Sequence, residues 1–290
     1  MPVGVIDVGS NTVRLHVAQN GEELHREKAM LRLGETIERT GGIPEPKLAE
    51  TLALVERFVV DARRHGVERL EVLVTSPGRQ ASNGPELLTR LAAASGVPVR
   101  LLSAEEEGQL AFLGATAATR GGARRLLAVC DVGGGSAQVA VGTRREGVAW
   151  VRSIDIGSMR LTSRMLDDDP PGDAAVARAR DEVDRMLEGF LPPAPETAFA
   201  VGGSARGLRD IVGSVLGADE LDEVAGILAR TASHEITDLY GIPRERVRTL
   251  AAGAVILAAI RERLHVPLRV VRGGVREGAA LELSTRVEAA

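Results

Sequence analysis

The sequence states one short pattern twice. An apolar run over 3–7 ends in Asp7-Val8-Gly9-Ser10-Asn11-Thr12, after which 12–18 alternates with Val13, Leu15 and Val17 on one face. A second run over 125–131 ends in Asp131-Val132-Gly133-Gly134-Gly135-Ser136, and 137–143 and 148–154 follow with strand character. An apolar run, a polar turn and an alternating run read as two strands joined by a tight turn. Repetition of that unit within 290 residues points to an internal duplication. The break falls at Gly121-Gly122, which gives an N-terminal α/β domain over 1–120 and a C-terminal one over 121–290.

The remaining segments fill in each half. A third strand is expected near 22–33, a helix over 44–64 and a strand over 70–74 that runs into the breaker-rich loop 75–79. A helix over 84–95, capped by Asn83 or Ser82, precedes a strand over 97–102. Ser103 followed by Glu105, Glu106 and Glu107 is a capping-box pattern for a helix reaching to 119. In the second half, 173–188 is helical, and Pro192, Pro193 and Pro195 form a stiff link. A strand over 197–201 ends in Gly202-Gly203-Ser204, a helix covers 243–264, and a late strand over 268–271 leads through Gly273-Gly274 into a final helix.

Aromatic residues are 2% of the chain, so the core must be Leu, Val, Ala and Ile, and platforms for stacking bases are nearly excluded. The net charge of −4 lacks the basic excess of a nucleic-acid binder. No apolar run reaches the roughly 18 residues of a membrane span. The first ten residues lack the basic segment and cleavage site of a signal peptide. Cys130 is the one cysteine, which excludes an internal disulfide and a cysteine-rich zinc site. The expected setting is the cytoplasm. His16, His25, His65, His234 and His265 are scattered, without the spacing of a metal cluster.

Several residues could carry chemistry. Gly9 permits a turn with positive φ, after which the amides of Ser10, Asn11 and Thr12 can face an anion as a backbone nest. Asp7, at a strand end, can hold a metal or a water. Three consecutive glycines, 133–135, carry an entropic cost that close approach to a phosphate chain would justify. Gly202-Gly203-Ser204 lies between a strand and a helix, as phosphate-binding turns do. Glu105, Glu106 and Glu107 suit the dipole of a helix start. One of them facing the glycine loops could serve as general base toward water. Arg79, with Asn83, sits in a Pro/Gly-rich loop at the C-terminal end of a strand, a favourable place to bind a ligand. Arg160 and Arg164 share a helical face, either as a polyanion track or as surface charge. Asp167, Asp168 and Asp169 read as a solvated loop.

Taken in order, these motifs cover nearly the whole chain. They are Asp7 to Leu15, Thr75-Ser76 with Arg79 and Asn83, Ser103-Ala104-Glu105-Glu106-Glu107-Gly108, and Asp131 to Ser136. Gly202-Gly203-Ser204-Ala205-Arg206 and Gly273-Gly274-Val275-Arg276-Glu277-Gly278 complete the series. The chain resembles the exopolyphosphatase / guanosine pentaphosphate phosphatase (Ppx/GppA) family in its short, two-domain form. The resemblance implies an actin/hexokinase-like (ASKHA) α/β fold, with two α/β domains built on mixed five-stranded sheets flanking a central cleft. It implies release of terminal phosphate from inorganic polyphosphate or guanosine pentaphosphate with Mg²⁺ or Mn²⁺, and it allows a homodimer. By motif position Glu107 is the general base, Arg79 neutralises charge on the phosphate chain, and Asp131 holds the metal or water. Asp7 and Gln138 are further candidate metal ligands. Gly9, Ser10, Asn11, Thr12, Gly133, Gly134, Gly135, Ser136, Gly202, Gly203 and Ser204 are the expected phosphate cradle.

Several positions depart from the family pattern, Pro77-Gly78 and Gln80 in the loop after the strand among them. Gln138 stands where a Glu is usual; it keeps an oxygen and loses the charge, a poorer Mg²⁺ ligand. Gln109 replaces an Arg, and Arg248 replaces an Asp before the last long helix. The departure at Gln138 keeps open a second function, a sensor that binds polyphosphate or (p)ppGpp without efficient turnover. A kinase or ATPase on the same fold is the third.

Overall fold

Both copies of the repeated pattern become sheets. The computed structural model describes residues 1–119 and 122–288, so the boundary read at 120/121 lies outside the described residues. One unit comprises Met1–Gly114 together with the segment from Gly274 onward, and the other Ala115–Gly273. The first contains β1 (Val3–Val8), β2 (Thr12–Gln19), β3 (Glu22–Met30), α1 (Leu33–Thr40), α2 (Glu45–Arg64), β4 (Arg69–Val74), α3 (Ser76–Gln80), α4 (Gly84–Ser95), β5 (Val99–Leu101) and most of α5 (Ala104–Thr116). The second begins with β6 (Leu127–Val132), β7 (Ala137–Thr143), β8 (Gly147–Ile154), α6 (Ser158–Met165), α7 (Asp173–Met186), β9 (Thr197–Val201) and α8 (Gly202–Val212). It continues with β10 (Val215–Leu216), α9 (Ala218–Arg230), α10 (Ser233–Tyr240), α11 (Arg244–Val247), α12 (Leu250–Leu264) and β11 (Leu268–Val270). The final helix, α13 (Val275–Glu288), belongs with the first unit.

The strand order in the first unit is β3-β2-β1-β4-β5, and in the second β10-β11-β9-β6-β7-β8. In each, an antiparallel three-strand meander comes first and its first strand then pairs in parallel with a later one, β1 with β4 and β6 with β9. The second sheet is therefore the first one's plan with β10 added at the edge, six strands where five are expected. Two mixed sheets with flanking helices are the α/β, actin/hexokinase-like class that the resemblance implies.

Side-chain alternation explains the layers of the first unit. Val13, Leu15 and Val17 point into one core with Phe58 and Val55 of α2, and each is at most 1% exposed. His16 and Ala18 point to the opposite face of β2, on the sheet that α13 packs against. In the second unit α12 is the centre. Leu250 to Ile260 are all buried, so this helix is apolar on every side. With almost no aromatic volume, density comes from Ala- and Gly-rich helix faces that let backbones approach closely. Cys130 is buried in β6, and desolvation pushes its thiol far up, so it is an inert core residue. Among the described residues no helix is long and apolar enough to cross a membrane.

Three local expectations change. Residues 76–80 form the short helix α3 rather than a loop. Asn83 precedes α4 without capping it. Its amide instead closes on Ile43, accepting from the Ile43 N–H at 2.9 Å and donating to the Ile43 carbonyl at 2.9 Å. The helix over 243–264 is broken into α11 and α12 at Arg248-Thr249, where the Arg248 guanidinium reaches the carbonyls of Asp167 and Asp168 and the carboxylate of Asp169.

The Asp167–Asp169 segment is the exposed loop expected of it, and it also acts as a clasp. Asp169 accepts hydrogen bonds from the Ser233 hydroxyl and, at 2.8 Å, from the Ser233 amide. Burial works against its charge, but these bonds and the charges of Arg248 and Arg244 outweigh it and hold the carboxyl below its ordinary value of 3.8. A depressed carboxyl stabilises the fold fully above its unfolded value, and that contribution is lost as pH falls through the folded one. Asp169→Asn is expected to cost about 1–2 kcal/mol at pH 7 and to flatten the loss of stability below about pH 4. Urea midpoints at pH 7 and pH 3 check this; equal midpoint losses in parent and variant would overturn it.

Candidate functional site

The first unit holds a loop and a carboxylate. The loop follows β1 and is closed by the Gly9 amide donating to the Thr12 carbonyl at 3.1 Å. Gly9 does not take the positive φ expected of it. Its constraint is room, since a Cβ there would lie 3.3 Å from the Thr12 carbonyl oxygen. The start of α1 fixes the loop's outward carbonyls. Gly34 donates to the Ser10 carbonyl at 2.8 Å, and Leu31 and Arg32 both donate to that of Asn11 at 3.1 Å. Arg32 adopts a left-handed φ of 52° to do so, a conformation a non-glycine residue keeps only where its surroundings demand it. The Ser10 hydroxyl is tied to that of Ser76 in α3 at 2.6 Å. With the carbonyls engaged, the amides of Ser10 and Asn11 have no protein acceptor among the described residues, which is the arrangement an anion nest requires.

The three consecutive glutamates separate by role. Glu106 completes the capping box, accepting from the Ser103 amide at 2.8 Å while its own amide donates to the Ser103 hydroxyl at 3.1 Å. Glu105 is exposed. Glu107 is 8% exposed and faces Arg79. Arg79, on α3, donates through Nη2 to Glu107 Oε2 at 2.8 Å and through Nη1 to the Leu102 carbonyl at 2.8 Å. The guanidinium is anchored at one end and orients the carboxylate with the other. The structure therefore brings Arg79 and Glu107 together, and sends Asn83 elsewhere.

Asp7 is met by a residue to which the sequence assigns no role. Arg276, in the first turn of α13, reaches Asp7 Oδ2 at 3.4 Å and Glu277 Oε1 at 3.6 Å. Beyond them His16 contacts Glu23 at 3.3 Å. Burial pushes the His16 imidazole below its ordinary value; Arg276 acts in the same direction, Glu277 and Glu23 against it, and the ring is neutral at neutral pH. The signal for Arg276 is present in the Gly273-Gly274-Val275-Arg276 run, but its target lies 269 residues away.

The second unit repeats the loop. Gly133 donates to the Ser136 carbonyl at 3.0 Å, as Gly9 does to Thr12. The start of α6 engages the loop carbonyls as α1 does, with Ser158 on Gly133 at 2.9 Å and Met159 and Arg160 on Gly134 at 3.1 and 3.0 Å. Asp131, the penultimate residue of β6, lies directly opposite Gln138 on β7. Gln138 is 1% exposed, and its Nε2 donates to the hydroxyls of Ser136 at 2.9 Å and Ser153 at 3.1 Å. At the N-terminus of α8, Gly202 has φ +90°, and a Cβ there would lie 2.6 Å from Asp131 Oδ1. The backbone thus comes up against the carboxylate in a way open only to glycine. Gly203 follows on the same helix start, whereas Ser204 is buried at 5% exposure. Arg160 is paired with Asp155 at 2.7 Å.

Comparison with known proteins bears on what these loops are for. Residues 12–286 match the model of the Ppx/GppA phosphatase family. The chain is 29% identical to Exopolyphosphatase 1 of Mycobacterium tuberculosis, across 97% of this chain and 88% of that protein. It is 25% identical to the guanosine-5'-triphosphate,3'-diphosphate pyrophosphatase of Photobacterium profundum, across 97% of this chain and 59% of that protein. Among solved structures, the Ppx/GppA family member of Aquifex aeolicus superposes with a TM-score of 0.82 at 26% identity, covering 99% of this chain and 98% of that one.

Proposed function

The chain belongs to the Ppx/GppA phosphatase family, and from that premise we propose that it hydrolyses the terminal phosphoric anhydride of inorganic polyphosphate, of guanosine pentaphosphate, or of both. The observation that carries this is the Arg79–Glu107 pair, a nearly buried carboxylate held in one orientation and spared from the capping box by Glu106. Glu107 takes the proton of the attacking water as the new oxygen–phosphorus bond forms and the anhydride bond breaks. The shortened phosphate chain leaves with the electron pair. Within the first unit, the Ser10 and Asn11 amides bind phosphate oxygens. Transfer of this kind depends mostly on positioning and electrostatics, which fixed amides and a fixed carboxylate provide.

A divalent cation fits the donor set of the second unit. Asp131 supplies a hard carboxylate oxygen, and Gly202 contributes no Cβ beside it. Bound there, Mg²⁺ or Mn²⁺ would neutralise charge on the phosphate oxygens. Gln138 presents its amide donors to Ser136 and Ser153, and this favours the second reading, a protein that binds the phosphate chain and turns it over poorly.

Phosphate release from long-chain polyphosphate and from guanosine pentaphosphate, with Mg²⁺ or Mn²⁺, tests the proposal. The parent is expected to release phosphate from at least one of them. Gln138→Glu is expected to raise metal affinity and to change the rate by less than about tenfold (about 1.4 kcal/mol). Release by Gln138→Glu alone, with the parent still binding polyphosphate by calorimetry, would establish the sensor. ATP turnover that requires an acceptor would overturn both.

A further inference from the structure

Two of the five histidines that look scattered in the sequence meet in the fold. His25 of β3 and His65, the residue that ends α2, stack with ring centroids 4.0 Å apart and planes 12° from parallel. Asp61, one helical turn before His65, lies at their edge, with Oδ2 2.8 Å from His25 Nε2 and Oδ1 3.9 Å from His65 Nδ1. One ligand atom from each of the three residues falls within 4.8 Å of the others.

The cluster is the end of a seam in which helix and strand run in step. Four helix residues advance about 6 Å and two strand residues about 6.7 Å, so Arg57 meets Glu27 at 2.7 Å and, one step on, Asp61 meets His25. Arg57 is committed to Glu27 and to the face of Phe58.

From this juxtaposition we infer that His25, Asp61 and His65 form a binding site for a divalent transition ion of the zinc type, which clasps α2 to the edge strand β3. Two imidazoles and one carboxylate make up a borderline-soft donor set suited to zinc and poorly suited to magnesium. His65 Nδ1 donates to the Asp61 carbonyl at 2.9 Å, which orients the ring, as outer partners of ligating histidines do. The ion takes the place of the proton that His25 Nε2 shares with Asp61, and His25 keeps its proton on Nδ1. All three groups are reached by solvent, with side-chain exposures of 28%, 22% and 37%, so the ion can enter and keep water in a fourth position. The only cysteine is buried and offers no competing thiolate.

The test uses the full chain stripped of metal by a chelator and then titrated with Zn²⁺ alone. One equivalent is expected to remain bound in millimolar Mg²⁺ and to raise the melting temperature by about 3 °C or more. His65→Ala, at the most exposed of the three positions, is expected to weaken binding at least about tenfold and to abolish the melting shift. Asp131→Asn is expected to leave both unchanged. X-ray absorption of the bound zinc is expected to show imidazole scattering. Affinity unchanged in both His65→Ala and His25→Gln, loss of binding with Asp131→Asn, or a zinc spectrum without imidazole would each overturn the assignment. Failure of phosphate release would not touch it.

Discussion

Glu107→Gln is expected to lower phosphate release from polyphosphate by about 10²–10⁴-fold, the contribution of a positioned general base. The substitution is matched to the geometry. Glutamine has the shape of glutamate and keeps an oxygen that can accept from Arg79 Nη2, and Arg79 retains its second anchor on the Leu102 carbonyl. Orientation is preserved while the basic lone pair and the charge are removed. The loss should therefore fall on kcat, with KM and calorimetric binding of polyphosphate close to the parent. Arg79→Gln provides the complementary case, because it leaves the carboxylate in place and removes what orients it. A Glu107→Gln enzyme that kept more than a tenth of the parent rate would place the base elsewhere.

The second large effect concerns a crossing of two helix backbones. A Cβ at Gly114 of α5 would lie 2.1 Å from the Gly274 carbonyl oxygen and 2.7 Å from the Gly278 amide nitrogen. One at Gly278 of α13 would lie 2.0 Å from the Leu110 carbonyl oxygen. The atoms in the way are main chain on both sides, so no rotamer change relieves the overlap and the helices must separate. Gly114→Ala is expected to cost about 3 kcal/mol, at the upper end for overpacking, and to lower the melting temperature by roughly 6–10 °C. Activity should fall as well in enzyme that is still folded. The helix pushed aside on one side carries Glu107, and the one on the other carries Arg276, which holds Asp7. Thermal melts and phosphate release at a temperature well below the transition measure the two effects separately. A variant that melts with the parent would show that the helices part without cost.

Much of this molecule is legible in its sequence because the relevant physics is local. The two strand–turn–strand units follow from side-chain alternation and a few turn residues, and both turns close with the same amide-to-carbonyl bond. The capping box at Ser103 and Glu106 spans three residues and forms as the pattern requires. The motif order alone was enough to point to the Ppx/GppA family. Local patterns misled where a long-range partner competed for a side chain. Asn83 has the chemistry of a helix cap, but Ile43 offers it two backbone bonds at once. The helix read over 243–264 has no glycine or proline near 248, but Arg248 finds three acceptors at 167–169 and the helix divides there.

What the sequence by itself determined, then, is the repeated α/β plan, the loops that follow β1 and β6, and the family. Tertiary structure alone decided that the last helix returns to the first unit, that Arg276 meets Asp7, that Glu107 rather than Glu105 or Glu106 faces Arg79, and that His25 meets His65. The physical reason is range. Turns, caps and alternation are set by dihedral preferences and hydrogen bonds within a few residues. These pairings exist because packing of apolar faces brings together positions whose separation along the chain leaves no pattern to read.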